Sequence, residues 1–173
     1  MEVDAQRDHI LLPVKVGFMT ASVIAALGFN FLPWQDVRGV PDLVAVVLLF
    51  WSIHQPRKMG IGIAWAVGLV MDAANSVLFG QHALAYAALA YAGQVLHRRI
   101  QRFGLLQQAV QVFVLLIGSQ LLMLVTRMIA GGTYPGFSYF AGSLVGAALW
   151  PLASYVLLAP QRRPAEVDET RPI

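Results

Sequence analysis

Long apolar stretches alternate with short polar, glycine- or proline-containing turns along almost the whole chain. A bilayer core about 30 Å thick needs roughly 20 apolar residues per helix, and fewer where interfacial residues help. The pattern predicts six spans, from about Val14 to Leu32, Val40 to His54, Met59 to Phe79, His82 to Leu96, Leu105 to Ala130 and Phe137 to Ala159, the last interrupted by Pro151. We therefore expect an all-α polytopic membrane protein with six transmembrane helices in one bundle. The predicted membrane domain covers residues 1–160, and the polar segment 161–173 is expected to be a disordered cytoplasmic tail.

Composition supports a membrane environment for this chain of 173 residues. Hydrophobic residues make up 58% and charged residues only 12%, whereas an ordinary soluble domain is about 25% charged. The mean hydropathy is +0.65. Such a chain carries more apolar side chains than a soluble domain of this size can bury. The absence of cysteine excludes disulfides, thiolate metal sites and a cysteine nucleophile.

The distribution of Lys and Arg predicts the orientation of the bundle, because positively charged loops tend to stay in the cytoplasm. With the N-terminus inside, only Arg38 and Arg127 fall outside. The other ten basic residues are then cytoplasmic: Arg7, Lys15, Arg57, Lys58, Arg98, Arg99, Arg102, Arg162, Arg163 and Arg171. Both termini are therefore expected in the cytoplasm, and topology rather than nucleic-acid binding explains the net charge of +3. The alternative is that the first span is a cleaved signal peptide, which would leave five spans.

One acid, Asp72, lies inside the third predicted span. Small or polar residues recur every four positions along this helix and form one narrow ridge of Gly60, Ala64, Gly68, Asp72 and Ser76. Small residues allow close helix contacts in lipid, so Asp72 is expected to face protein. Gly80 permits a sharp turn into the fourth span, whose outer end carries His82 and Tyr86. By depth alone, Arg127 is the nearest countercharge; Asn75 and Tyr86 are the other candidate partners.

Three roles for Asp72 stay open at this point. It is a structural clamp hydrogen-bonded to other helices, part of a proton or ion relay, or part of a cavity that binds a partner or ligand. The relay is disfavoured because the sequence shows no second intramembrane acid. His82 is interpreted as an interfacial hydrogen-bonding residue, since no metal-ligand spacing accompanies it. Gly142 and Gly146 form a GxxxG pair that is expected to pack inside the bundle.

Enzyme motifs are missing from the sequence. It contains no GxSxG, HExxH, Walker A or dinucleotide fingerprint, and no convincing Ser and His spacing for a triad. We therefore expect no catalytic residues, no cofactor and no metal.

The stretch PDLVAVVLLFWSIHQPRKMGIGIAWAVGLVMDAANSVLFGQHALAY and the later GSLVGAALWPLASYVLLAPQRRP closely resemble the rod shape-determining protein MreD family. The resemblance runs from about Pro41 to Pro164. Its most specific residues are Gly68, Asp72, Gly80, Ala83, Leu84 and Tyr86 in one register, with Pro41, Asp42, Trp51 and Pro56 in a second block. From the resemblance, together with the placement of His82 and Arg127 along the predicted spans, we assign structural or partner-binding roles to Asp72, Gly68, Gly80, His82, Tyr86, Pro41, Asp42 and Arg127.

The resemblance implies a non-catalytic scaffold in the bacterial inner membrane that organises lateral peptidoglycan synthesis and rod cell shape. Its implied partners are the bitopic protein MreC and, directly or through MreC, the MreB filament, RodA and a class B penicillin-binding protein. Membrane lipids surround it, and no nucleic acid is expected. The implied fold is similar to the six-helix substrate-binding subunits of energy-coupling-factor vitamin transporters.

Two other function classes stay open. A transporter subunit of that kind would have the same size and topology, and Ala21 with Ala25 fits the AxxxA motif by which such subunits dock. Against it, the predicted outer loops are short and poor in the polar groups that a specific vitamin site requires. An intramembrane enzyme has only Asp72 and His82 in its favour.

Overall fold

The computed structural model describes residues 15–34, 39–75 and 79–161. These residues form seven α-helices and two short 3-10 helices. The bounds are α1 Val16–Asn30, α2 Leu43–His54, α3 Ile61–Ala74, α4 Gln81–Ile100, α5 Leu105–Ile129, a 3-10 helix Phe137–Phe140, α6 Ala141–Ala148, α7 Trp150–Leu158 and a second 3-10 helix Ala159–Gln161. The all-α prediction is confirmed over this part of the chain. Of the predicted disordered tail, residues 161–173, only Gln161 is described; it ends the second 3-10 helix and is buried, and the rest lies outside the described residues.

Helices α2 and α4 occupy the middle of the bundle. Helix α2 is apolar around most of its circumference, and nine of its twelve residues are buried, as expected for a helix surrounded by others. Helix α4 packs on α3, α2 and α5, most extensively on α3, while α1 covers α2 and α5 packs on α6 and α7. Helices α3 and α4 run antiparallel, because Gln94 far along α4 donates a hydrogen bond to the carbonyl of Met59 just before α3 (2.7 Å).

Large apolar side chains cover the outside of the bundle. Examples are Ile24 on α1, Leu106 and Ile129 on α5 and Leu152 on α7, all at least 60% exposed. Polar side chains such as Asp72 and Ser52 are instead buried between helices. This distribution is the reverse of a water-soluble surface and identifies a membrane protein, because only a hydrocarbon environment accommodates so much outward-facing apolar area.

Few helices in the described chain are both long and apolar enough to cross a bilayer. Helix α5 is long and apolar enough to cross a bilayer by length and composition. Helices α6 and α7, with their flanking 3-10 turns, form a second candidate that is bent by 44°. Helices α1, α2 and α3 are apolar but shorter. The six-span topology, the inner-membrane location and the cytoplasmic termini therefore stay predictions.

Helices α2 and α4 have boundaries that differ from the predicted segments, each for a local reason. Helix α2 begins only at Leu43, because Asp42 caps it and Pro41 precedes it. Helix α4 continues past Leu96 to Ile100, since basic residues in a last turn interact favourably with the negative end of the helix dipole. The predicted sixth segment breaks at Leu149, directly before the turn that contains Pro151, which confirms the predicted interruption.

The predicted ridge on α3 faces protein from Ala64 to Asp72, but not at Gly60, where a Cβ atom would meet nothing within 4 Å. Ala64, Gly68 and Asp72 are buried, while Ser76 lies outside the described residues. A Cβ atom at Gly68 would lie 2.3 Å from the Cα of Ala83, so α3 and α4 touch backbone to backbone here. The GxxxG pair also packs internally: a Cβ at Gly142 would lie 2.6 Å from the carbonyl oxygen of Val40.

Replacing Gly68 with alanine tests this backbone contact. The added methyl group has no room against Ala83, so we expect the free energy of unfolding to fall by about 1–3 kcal/mol, the usual cost of overpacking. Gly62→Ala on the same helix is the matched control, because a Cβ there meets no atom within 4 Å. Thermal unfolding in mild detergent measures both variants. Equal midpoints for the two would show that α3 and α4 are not in close contact at Gly68.

Reporter fusions test the predicted orientation. Fusions within the turns at Arg57 and Arg99, and after Arg163, should report a cytoplasmic location, because these segments carry most of the basic residues. A fusion at Gly132, in the turn after α5, should report the opposite side. A periplasmic signal from the fusion after Arg163 would contradict the six-span arrangement.

Candidate functional site

The candidate site lies at the end of the bundle where α1, α3 and α5 end. We call it the carboxylate end, because it carries Asp42 and Asp72, the two acidic residues of the described chain. The opposite end, which carries Lys15, Arg57, Lys58, Arg98, Arg99 and Arg102, is called the cationic end. The predicted topology places the carboxylate end on the periplasmic side.

Asp72 caps the first turn of α4 from the neighbouring helix. Gly80 is the N-cap residue of α4, with φ +102° and no side chain to satisfy the free N–H groups of that turn. The Asp72 carboxylate, 1% exposed, accepts hydrogen bonds from the backbone N–H groups of Gly80 (2.9 Å), His82 (2.8 Å) and Ala83 (3.3 Å). A carboxylate at a helix N-terminus also interacts favourably with the helix dipole. The contacts therefore match the clamp interpretation of Asp72.

His82 adds a side-chain contact to the same carboxylate. Its Nδ1 lies 2.8 Å from Oδ1 of Asp72. An ionised carboxylate only accepts hydrogen bonds, so Nδ1 carries the proton in this contact. The His82 ring also makes a T-shaped contact with the Tyr86 ring, and the two centroids are 5.8 Å apart. His82 thus holds the start of α4 against α3, in keeping with its interpretation as a hydrogen-bonding residue.

Asp42 is the second carboxylate at this end, and it also caps a helix N-terminus. It is the N-cap of α2 and accepts from the backbone N–H of Ala45 (3.0 Å). Its two oxygens also accept from Asn30 Nδ2 at the end of α1 and from the Tyr86 hydroxyl of α4, both at 2.7 Å. Asp42 therefore joins three helices. A second acid thus accompanies Asp72 at this end of the bundle, while the expectation that only Asp72 lies within the membrane stays a prediction.

The suggested Asp72–Arg127 pair is not formed. Among the described residues, the Asp72 carboxylate bonds only Gly80, His82 and Ala83. Arg127 is exposed in the last turn of α5, where its side chain packs against Gly132. Depth in the membrane was the basis for that pair, but α3 packs mainly on α4 rather than on α5. Asn75 and Tyr86, the other candidate partners, are also not bonded to Asp72. Tyr86 donates to Asp42 instead.

Among the described residues, no hydrogen bond connects the Asp72–His82 pair to the Tyr86–Asp42 pair. The Asp72–His82 bond and the Tyr86–Asp42 bond are separate, and only a ring contact connects them within the described chain. Both carboxylates bond backbone N–H groups at a helix N-terminus, which is the arrangement of two structural caps. Among the described residues, no three acidic, imidazole or thiol groups come together as a metal site would require.

A cavity of about 380 Å³ opens at the carboxylate end, and Asp42 and His82 are among its lining residues. Its size falls within the range of small-molecule sites, about 300–1,000 Å³. Seven polar residues line it: Asn30, Asp42, Asn75, His82, Gln120, Ser138 and Tyr139. Outer loops poor in polar groups therefore do not exclude a polar cavity at this end. Most of these groups come from helix ends and from the 3-10 turn rather than from the loops, which is why loop composition did not reveal them.

Substitutions at Asp72 test the capping role. Asp72→Asn keeps one acceptor oxygen for the N–H groups of α4, whereas Asp72→Leu keeps none, and each buried donor left unpaired costs about 1–3 kcal/mol. We therefore expect stability to fall from Asp to Asn to Leu. Asn75→Leu, one turn away, is the matched control and should change stability little. Folded yield and thermal unfolding in detergent give the order; a Leu variant as stable as the original protein would contradict the cap.

Comparison with known proteins agrees with this geometry. The chain matches the family described as rod shape-determining protein MreD over residues 9–158. This range includes every α-helix and every residue of the two caps. No solved structure matches the chain, so the similarity to energy-coupling-factor subunits stays a prediction. Because the match covers most of the chain, this protein belongs to the MreD family and has a role in rod shape determination.

Proposed function

We propose that this protein is an inner-membrane scaffold of the cell-elongation complex, which binds MreC and helps to organise lateral peptidoglycan synthesis. The observation that carries the proposal is the MreD family match across all seven helices. The family is a shape-determining, structural one rather than a family of enzymes. We extend this to the present chain and assign it no catalytic activity. The MreB filament, RodA and a class B penicillin-binding protein are then reached directly or through MreC.

The carboxylate end suits a scaffold because its helices are held in fixed positions. Asp72 joins α3 to α4, and Asp42 joins α1, α2 and α4. A surface whose helix ends are joined by hydrogen bonds keeps its shape when a partner binds. Less entropy is then lost in ordering that surface on binding. In the predicted topology this surface faces the periplasm, where the peptidoglycan synthases act.

An apolar groove on the side of the bundle offers a place for the single membrane helix of MreC. It has a volume of about 640 Å³ and lies between α1, α2 and α7. Ala21 and Ala25 of α1 line it together with apolar residues such as Leu152 and Val156 of α7. Small residues let a second helix approach closely, and close packing is the main attraction between helices in lipid.

A second candidate function is the substrate-binding subunit of an energy-coupling-factor transporter. The polar cavity at the carboxylate end favours it, because a site of about 380 Å³ lined by amide, hydroxyl, imidazole and carboxylate groups could hold a small polar molecule. Ala21 and Ala25 lie in the groove and would then serve the docking role of the AxxxA motif. A retained small molecule would distinguish this function from the scaffold.

Co-purification tests the proposal and the groove together. The tagged protein should retain MreC in mild detergent. Ala25→Leu should reduce MreC recovery on the order of tenfold, because an overpacked contact costs about 1–3 kcal/mol. Thr20→Leu is the matched control, since Thr20 is exposed on the same helix and does not line the groove. Complementation of a rod-shape-deficient strain should follow the same order, with rounded cells for Ala25→Leu.

The outcomes separate the two candidates. Loss of MreC from both variants, or from neither, would place the MreC interface outside the groove. A wild-type preparation without MreC but with a bound small metabolite, detected by mass spectrometry of the intact protein, would contradict the scaffold and support the transporter subunit.

A further inference from the structure

The cationic end combines positive charge with an absence of acids in the described chain. Six basic residues lie there: one directly before α1, two in the α2–α3 turn, two in the last turn of α4 and one in the α4–α5 turn. Both acidic residues of the described chain are at the other end of the bundle. The described residues of the cationic end therefore contribute a positive potential, which attracts anions.

A groove of about 230 Å³ runs between α4 and α5 at this end. Its lining residues are Leu96, Arg99, Val110, Gln111, Val114 and Leu115. Four of these side chains are aliphatic. Val110 and Val114 are one turn apart on the outer face of α5, and they are 65% and 63% exposed. The groove is thus largely apolar and lies on the outside of the bundle, on the surface that faces hydrocarbon in a membrane.

Arg99 is the only cation in the lining of this groove. It belongs to the last turn of α4 and is exposed. Its guanidinium makes no hydrogen bond or ion pair with another described residue. The adjacent Arg98 is equally exposed but does not line the groove. One positive group therefore stands at an apolar channel without a protein partner in the described chain.

We propose that this groove is a binding site for one anionic phospholipid. One of its acyl chains lies along Val110 and Val114, and its phosphate contacts the Arg99 guanidinium. The planar guanidinium forms paired hydrogen bonds to phosphate oxygens, and its long side chain reaches from apolar surface to the headgroup region. A basic pocket between membrane helices is the kind of site that selects anionic headgroups. The excess of cations around it disfavours a headgroup with its own positive charge.

Native mass spectrometry of the full chain in detergent tests the site. The probes are phosphatidylglycerol and phosphatidylcholine with identical acyl chains, titrated separately. The original protein should bind phosphatidylglycerol more tightly. Arg99→Gln should weaken that binding about fivefold, the usual effect of one basic residue near a lipid surface. Arg98→Gln is the matched control and should change it less than about twofold.

A second pair of variants tests the channel itself. Val114→Trp fills the groove and should weaken binding of both lipids, while Val125→Trp, exposed on the same helix outside the groove, should not. Equal losses for Arg98→Gln and Arg99→Gln would show only a diffuse charge effect and overturn the site. Equal affinity for the two lipids, or unchanged binding by Val114→Trp, would also overturn it.

Discussion

The carboxylate of Asp72 supplies the first turn of α4 with the acceptor that Gly80 cannot provide, and the α3–α4 hairpin depends on this contact. Gly80 starts the helix in a left-handed conformation that favours glycine. A charge buried in a membrane helix costs about 3 kcal/mol on insertion scales. Three backbone N–H groups, the His82 ring and the positive end of the α4 dipole offset that cost. Gly68 brings α3 close enough to Ala83 for the carboxylate to reach.

The same device appears a second time at Asp42. There the acid caps its own helix, and the spare acceptor capacity of the carboxylate holds Asn30 of α1 and Tyr86 of α4. Both acids of the described chain are thus used to satisfy helix N-termini at one end of the bundle. In hydrocarbon an unsatisfied N–H group is costly, so capping and helix docking become one interaction. This explains why charged residues stay in a protein that otherwise presents apolar side chains to its surroundings.

Charge segregation follows from this arrangement and bears on function. The acids define a rigid, polar end with a cavity, while the opposite end carries only basic residues in the described chain. In the proposed orientation, the rigid end faces the synthases and the basic end faces the inner leaflet. Such a division suits the proposed scaffold, because its proposed partners lie on both sides of the membrane.

The sequence by itself determined the class of protein, the family and the residues of the main contact. Apolar segments of helical length and few charges were sufficient for the class, since these depend on composition and local spacing, and the register of Gly68, Asp72 and Gly80 carried the resemblance to the family. The break at Pro151 was also predictable, because proline lacks the N–H that continues a helix. Only the tertiary structure decided which groups meet: Asp72 pairs with the start of α4 rather than with Arg127, and Tyr86 binds Asp42. The physical reason is that depth along a helix follows from the sequence, whereas the partner of a side chain depends on which helices pack together and how each is rotated about its axis.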